Sequence, residues 1–185
     1  RRHFDESGEG VELVMHVVSR IGDFTSVAAK IEAAIDGRGK VRDEASERLG
    51  RIRRQVEEVS RKARDVFDKL LRHQGITRYL QYSSATLHDE RMVLPLKAEQ
   101  RGRIAGIVHR TSDSGQTLFV EPAEAVELNN ERVGLLQEER EEINRILWEL
   151  THLVHLNQKE LLRSLEAAAV IDLLIAKTKL AQRFE

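Results

Sequence analysis

Eight residues, Ala45, Leu49, Ile52, Val56, Val59, Ala63, Val66 and Leu70, recur at alternating steps of four and three. That spacing is the a/d seam of a coiled coil, and so narrow an apolar stripe must be laid against another helix. Between the seam residues lie Arg51, Arg53, Arg54, Glu57, Glu58, Arg61, Lys62 and Arg64, a solvated face. A second run, Val126, Asn129, Val133, Leu136, Arg140, Ile143, Leu147, Leu150 and Val154, keeps the same spacing. Asn129 and Arg140 are its polar interruptions, and such residues can set register at a cost in stability. At a rise of 1.5 Å per residue each helix would span roughly 45 Å. Two such helices joined through an insert pair most simply with each other. The sequence therefore predicts an antiparallel coiled-coil arm built from 43–75 and 122–156, with the insert 76–121 at its tip.

The insert reads as β. Ala85 to His88, Met92 to Ala98, Ile104 to Val108 and Thr117 to Val120 are short strand-like runs. Pro95 cannot donate a ladder hydrogen bond and belongs on an edge or at a bulge. His109 to Gly115 reads as a polar turn, and Glu121-Pro122 as a cap followed by proline at the first helical position. The fold class expected is mainly α, with a small antiparallel sheet.

The flanks, 1–42 and 157–185, are expected to be helical core segments at the base of the arm. Phe24, Val27, Ala28, Ile31 and Ile35 form one helical stripe. Gly37-Arg38-Gly39-Lys40 resembles a phosphate loop, but it lacks the GxxxxGK[ST] frame, and Val41 stands where a hydroxyl is needed. It reads as a plain turn. Asn157 and Glu160 have capping-box spacing, with Leu156 and Leu161 placed as a hydrophobic staple. From Leu161 to Leu180 the chain is apolar nearly all round and asks for cover from a core domain or a dimer partner. The chain opens Arg1-Arg2-His3 without Met and reads as an excerpt of a larger protein.

Charged residues make up 33% and aromatics 4%, which suits long solvated helices. The net charge of −1 hides an uneven distribution. Residues 40–73 hold eleven Lys/Arg against seven Asp/Glu, 74–120 six against four, and 121–157 three against nine. The acidic helix opposite the basic one supplies pairing charges for the coil. The absence of Cys excludes disulfides and thiolate metal sites and suits a reducing cytoplasm. No apolar run approaches the ~20 residues of a membrane helix.

His109, Ser112, Asp113 and Ser114 invite a hydrolase reading. All lie in one short loop without a GxSxG elbow or an evident pocket, and they are ordinary turn residues. No catalytic residue is assigned. His152 and His155 lack a third ligand at metal spacing, and Glu138, Glu139, Glu141 and Glu142 read as a solvated coil face, so no metal site is assigned.

The stretch RMVLPLKAEQRGRIAGIVHRTSDSGQTLFVEPAEAVELNN, residues 91–130, closely resembles the bacterial second-type MutS paralogues. GKVRDEASERLGRIRRQ (39–55) resembles the run that opens the family's long lever helix, and LEAAAVIDLLIAKTKLA (165–181) the helix returning to its core. Arg110 departs from the pattern, standing where an acidic residue is expected after the Val-His pair.

The resemblance implies lever helices at 43–75 and 122–156, a clamp subdomain at 76–121 and core segments on either side. It implies a parent with a separate ATPase domain using ATP and Mg, usually a C-terminal Smr nuclease domain, and homodimerisation that closes the clamps. Implied partners are branched or duplex DNA, or the ribosome and its RNA, in suppressing recombination or rescuing collided ribosomes; no membrane is implied. No cofactor is expected in these residues. Lys97, Arg101, Arg103, His109 and Arg110 are the expected phosphate contacts, with Thr111, Ser112 and Ser114 as neutral donors. The alternative is a structural coiled-coil arm whose tip docks a partner protein through Leu118, Phe119 and Val120.

Overall fold

In the computed structural model, residues 9–184 are described, so the first eight residues of the 1–42 segment lie outside the described residues. The chain divides into two compact units, Val41–Arg145 on one hand and Arg1–Lys40 with Ile146–Glu185 on the other.

The first of these units is built on two long helices. Helix α3 (Glu47–Arg72) starts at Ser46, whose hydroxyl accepts from the Leu49 amide at 2.9 Å, and carries Lys69 and Arg72 in its last turn. Both features suit the partial charges of a helix's ends. A short helix α4 (Gln74–Thr77) follows. Helix α5 (Val126–Leu156) contributes residues up to Arg145 to this unit. Side-chain bonds show that α3 and α5 run antiparallel. Ser46 and Arg48 meet Glu142, Arg53 meets Glu139, and Ser60 meets Arg132.

On α3, Leu49, Ile52, Val59, Ala63 and Leu70 are buried and Val56 and Val66 half-buried, while Ala45, also half-buried, ends the 3-10 turn Asp43–Ala45 before the helix. On α5 the expected seam is buried or half-buried at Val126, Asn129, Val133, Leu136, Ile143 and Leu150 but not at its other three positions. Arg140 is 51% exposed, and Leu147 and Val154 are exposed. Arg132, Glu139, Ile146 and Leu153, outside that seam, are buried or half-buried as well. Polar side chains occupy inward positions because each finds a partner. Arg53 Nε donates to Glu139 Oε1 at 2.8 Å, and Arg132 Nε to Ser60 Oγ at 3.0 Å.

Glu142 belongs to the same face and is 1% exposed. Hydrogen bonds from Arg145 and from the Ser46 hydroxyl hold its carboxyl down at about 2, against the opposing effect of burial and with added attraction from Arg145 and Arg48. A depressed carboxyl stabilises the fold above its unfolded pKa and loses that contribution as the pH falls through the folded one. The variant Glu142→Gln should therefore unfold at lower urea than wild type at pH 7, with the gap closing between about pH 5 and pH 2. A gap independent of pH would assign the loss to packing alone.

The sheet joins α3 to α5. Strands β1 (Thr86–His88), β2 (Arg91–Lys97), β3 (Gly106–Thr111) and β4 (Thr117–Pro122) form one antiparallel sheet in the order β1-β2-β4-β3. Leu94, Leu96, Leu118 and Val120 enclose a core with Phe67 and Leu70 of α3, Leu80, and Ala125. Each such side chain contributes about 1.5–3 kcal/mol on full burial if large and aliphatic or aromatic. Pro95 lies within β2, opposite Phe119 of β4. Its carbonyl accepts from Gln81, on the side where β1 has ended and only a single bridge, Leu80 to Leu96, is made. The missing N–H faces that open side, so no β4 bond is lost.

The β1–β2 turn places Asp89 and Glu90 at φ of 44° and 63°, a conformation usually left to Asn-Gly. Arg132 donates to the Glu90 carbonyl and Arg140 to its carboxylate, so α5 secures the turn. Pro122 is not the first residue of α5. It ends β4 and leads into a 3-10 turn, Ala123–Ala125, before the helix begins at Val126.

The other unit holds α1 (Glu9–Val18), α2 (Thr25–Ala34), the end of α5 from Ile146, and α6 (Gln158–Ala181). Gly22 N donates to Ser164 Oγ at 2.9 Å, and Arg20 lies 3.5 Å from Glu166. Asn157 does not cap α6; its Nδ2 donates back to the Leu153 carbonyl at 2.8 Å, and Leu156 stays 68% exposed. Leu162, Leu165, Leu173, Leu174 and Ile175 of α6 are exposed as well. Asp36 Oδ1 accepts from the amides of Arg38 and Lys40, which makes 37–40 a side-chain-closed turn.

Candidate nucleic-acid interface

Backbone pairing gathers most of the expected contact residues at one end of the sheet. Lys97 is opposite Thr117, and Ala98 N donates to the Gln116 carbonyl at 2.9 Å. The β3–β4 turn and the 98–103 segment are thereby neighbours. The latter is a 3-10 turn, Ala98–Gln100, continued by bonds from Arg101 N to Ala98 O and from Arg103 N to Gln100 O, with Gly102 at φ +83°. Arg101 and Arg103 are exposed.

The β3–β4 connection is tighter than the sequence suggested. Strand β3 runs to Thr111, so the turn proper is 112–116. Ser112 closes it: its amide donates to the Thr117 carbonyl at 2.8 Å, and its hydroxyl accepts from Thr117 N at 3.0 Å. Ser114 Oγ lies 3.3 Å from Ser112 Oγ. Gly115, at φ +73°, completes the turn. Arg110 donates to Asp113 at 3.1 Å, but both side chains are largely exposed, so the pairing leaves Arg110 accessible to a stronger anion.

His109 has a different place. It is the extra residue of a β-bulge, between the pairs Val108–Val120 and Arg110–Phe119, and its Nε2 lies 2.5 Å from Glu121 Oε2. Glu121 is fully buried. Its other oxygen accepts from Arg91 Nη1 at 2.9 Å and Asn129 Nδ2 at 2.8 Å, while Asn129 also exchanges bonds with the Met92 backbone. Burial alone would raise the Glu121 carboxyl. The bonds from His109, Asn129 and Arg91 outweigh it and hold the group below the ordinary range. His109 therefore braces β3 against the junction of β4 and α5. Neither Ser112, which closes the turn, nor His109, which faces Glu121, is arranged as a nucleophile and its base.

Among the described residues no group of His, Asp and Glu is arranged to hold a metal ion, and no helix is long and apolar enough to cross a membrane. The end of the sheet carries Lys97, Arg101, Arg103 and Arg110, against Glu99 and Asp113. Arg78 joins them: Lys97 Nζ donates to its carbonyl at 3.4 Å. The adjacent Arg78-Tyr79 pair was the available signal in the sequence, but it precedes the β region, and only the bridge to β2 brings it here. Glu121 was read as a cap and is instead the centre of a buried network.

Fold and site together define a helical protein in which an antiparallel helix pair carries a four-stranded sheet with a cationic, solvent-facing end. The chain is homologous, over nearly its whole length, to one segment of endonuclease MutS2. It is 38% identical over 180 residues to endonuclease MutS2 of Symbiobacterium thermophilum, covering 97% of this chain and 23% of that protein. The same comparison gives 35% over all 185 residues for the Pelotomaculum thermopropionicum protein and 33% over all 185 for that of Aquifex aeolicus, covering 24% of each. The chain thus spans about a quarter of the length of the curated relatives it matches. No family model matches it.

Proposed function

We propose that this chain is the lever and clamp region of a MutS2-type protein, with 43–75 and 122–156 as levers, 76–121 as the clamp and 1–42 and 157–185 as core segments. Its work is to grip nucleic acid through the cationic end of the sheet. The observation that carries this reading is the gathering of Lys97, Arg101, Arg103 and Arg110 at one solvent-facing end, while Arg48, Arg53 and Arg145 of the helix pair are bound to carboxylates. Thr111, Ser112 and Ser114 add neutral donors beside them, and His109 serves by bracing β3. Contacts of this kind hold the phosphate backbone without reading sequence.

In the longer relatives the grip would be coupled to ATP-driven dimerisation, and the polymer gripped would be branched DNA or ribosomal RNA. Among the described residues the turn that resembles a phosphate loop does not fit a nucleotide site. The one glycine-rich turn has its Arg38 and Lys40 amides occupied by Asp36, so no phosphate cradle is formed. The nucleotide, its Mg and any strand cleavage belong to the remainder of such a protein.

Reversing charge in the triple variant Arg101→Glu, Arg103→Glu and Arg110→Glu should weaken binding to a labelled four-way DNA junction by about tenfold or more at low salt. The slope of log affinity against log salt should become shallower by about 2 to 3. Fluorescence anisotropy across a salt series measures both. Affinity and slope equal to wild type would overturn the reading. They would favour a protein-docking arm instead; Leu118 and Val120, expected to carry such docking, are buried, and exposed Ile107 and Val108 of the edge strand β3 offer apolar surface in their place.

A further inference from the structure

We propose that Arg78 and Arg103, held about the ring of Tyr79, form with Lys97 a pre-organised site for a phosphodiester group of a nucleic-acid backbone. The inference rests on the clamp reading and names the part of the surface that does the gripping. Arg78 Cζ lies 4.7 Å from the Tyr79 ring centroid and Arg103 Cζ 5.9 Å from it. Arg78 Nη2 also donates to the Tyr79 hydroxyl at 2.6 Å. Tyr79 is itself fixed: its carbonyl accepts from Lys97 N at 2.9 Å, its amide donates to Ile76 O, and its ring packs against the core. Lys97 is drawn in on the same side, its Nζ 3.4 Å from the Arg78 carbonyl.

None of these three cations has a carboxylate within ion-pair distance among the described residues; Glu99 is the nearest acid in sequence and pairs with none of them. On the helix pair, by comparison, Arg48, Arg53, Arg140 and Arg145 face carboxylates. Bringing two guanidinium groups to one ring, with Lys97 beside Arg78, is unfavourable unless an anion completes the cluster. A guanidinium over an aromatic face keeps N–H groups for an anion, Arg78 spending only Nη2 on the Tyr79 hydroxyl, and its rotamer freedom is already spent on the ring contact. That is the arrangement for bidentate recognition of a phosphate, which a lysine in the same place cannot supply. DNA and RNA both offer this group, and the geometry of the duplex decides which of them fits better.

The test compares the 185-residue chain with its double variants Arg78→Lys/Arg103→Lys and Arg78→Ala/Arg103→Ala, using anisotropy on a labelled DNA duplex and an RNA duplex of the same sequence. Arg78 and Arg103 are exposed, and thermal unfolding of each variant checks that folding is intact. The lysine variant should bind roughly fivefold more weakly with an unchanged salt slope, because charge is kept and the fork is lost. The alanine variant should bind more weakly still, with a slope shallower by about 2. A ratio of DNA to RNA affinity far from one in wild type, lost in the lysine variant, assigns the preference to this site. Lysine binding equal to wild type would overturn the fork, and alanine binding equal to wild type would overturn the site while leaving the clamp reading standing. Absence of binding by wild type at low salt would overturn both.

Discussion

Arg91→Leu should destabilise the Val41–Arg145 unit by about 3 kcal/mol at pH 7, measured by urea unfolding. Arg91 bridges two elements: Nη1 donates to the fully buried Glu121 and Nη2 donates to Asn130 Oδ1 at 2.7 Å. Leucine keeps much of the apolar stem and removes the charge, so a carboxylate is left in the interior with one donor fewer. The cost is that of an uncompensated buried charge, not of a surface ion pair. Two further results should accompany it. The double variant Arg91→Leu/Glu121→Leu should recover most of the loss, because neither partner then remains unpaired. The deficit of the single variant should also shrink below about pH 4.5. Bonds to Glu121 hold its folded carboxyl below the ordinary value, so its contribution is present above the unfolded pKa and disappears as the pH falls. A loss under 1 kcal/mol would show that His109 and Asn129 suffice to hold the carboxylate.

Gly106→Ala should be at least as damaging, with a cost of about 3 kcal/mol or more. A Cβ there would stand 2.0 Å from the Glu121 carbonyl oxygen, 2.9 Å from the carbonyl carbon and 3.0 Å from Pro122 Cα. All three are backbone atoms of the paired strand, so no side chain can swing aside. Strand β3 must separate from β4 at its first pair, Gly106 with Pro122. Amide exchange should show Ile107 and Val108 losing protection while α3 keeps most of its own. The control is Gly102→Ala. Gly102 sits at φ +83° but has open space around its Cβ, so only the backbone strain of about 1 kcal/mol applies. Equal losses at the two positions would mean that strain, not the close approach of β3 to β4, sets the cost.

Both effects arise where the sequence was hardest to read. Glu121-Pro122 has the composition of a helix start, and its local chemistry permits that reading. What overrides it is pairing with Gly106 and Ile107, residues 14 to 16 positions earlier, together with donors from β2 and α5. His109 was placed in a turn by its polar neighbours. The bulge after Val108 instead turns its ring toward Glu121, and one-sequence periodicity gives no sign of such a bulge. Arg78 and Tyr79 precede the first strand, and the bridge from Leu80 to Leu96 is what carries them to the cationic end.

Hydrophobic spacing by itself determined the two long helices, the inward face of α3, the four strands and the polar turn between β3 and β4. These features depend on neighbours within one or two turns of chain, where apolar period and turn chemistry act directly. Only the tertiary structure decided the face of α5. Arg140, Leu147 and Val154 belonged to the expected seam, yet they are exposed, while Arg132, Glu139, Ile146 and Leu153 took inward places. A shift of one residue turns a helix by about 100°. Hydropathy scores Arg132 and Glu139 as solvent-facing because it cannot see Ser60 and Arg53 waiting on α3 to satisfy them. Burial of a polar group is settled by its partner, and partners far apart in the chain meet only once the fold exists.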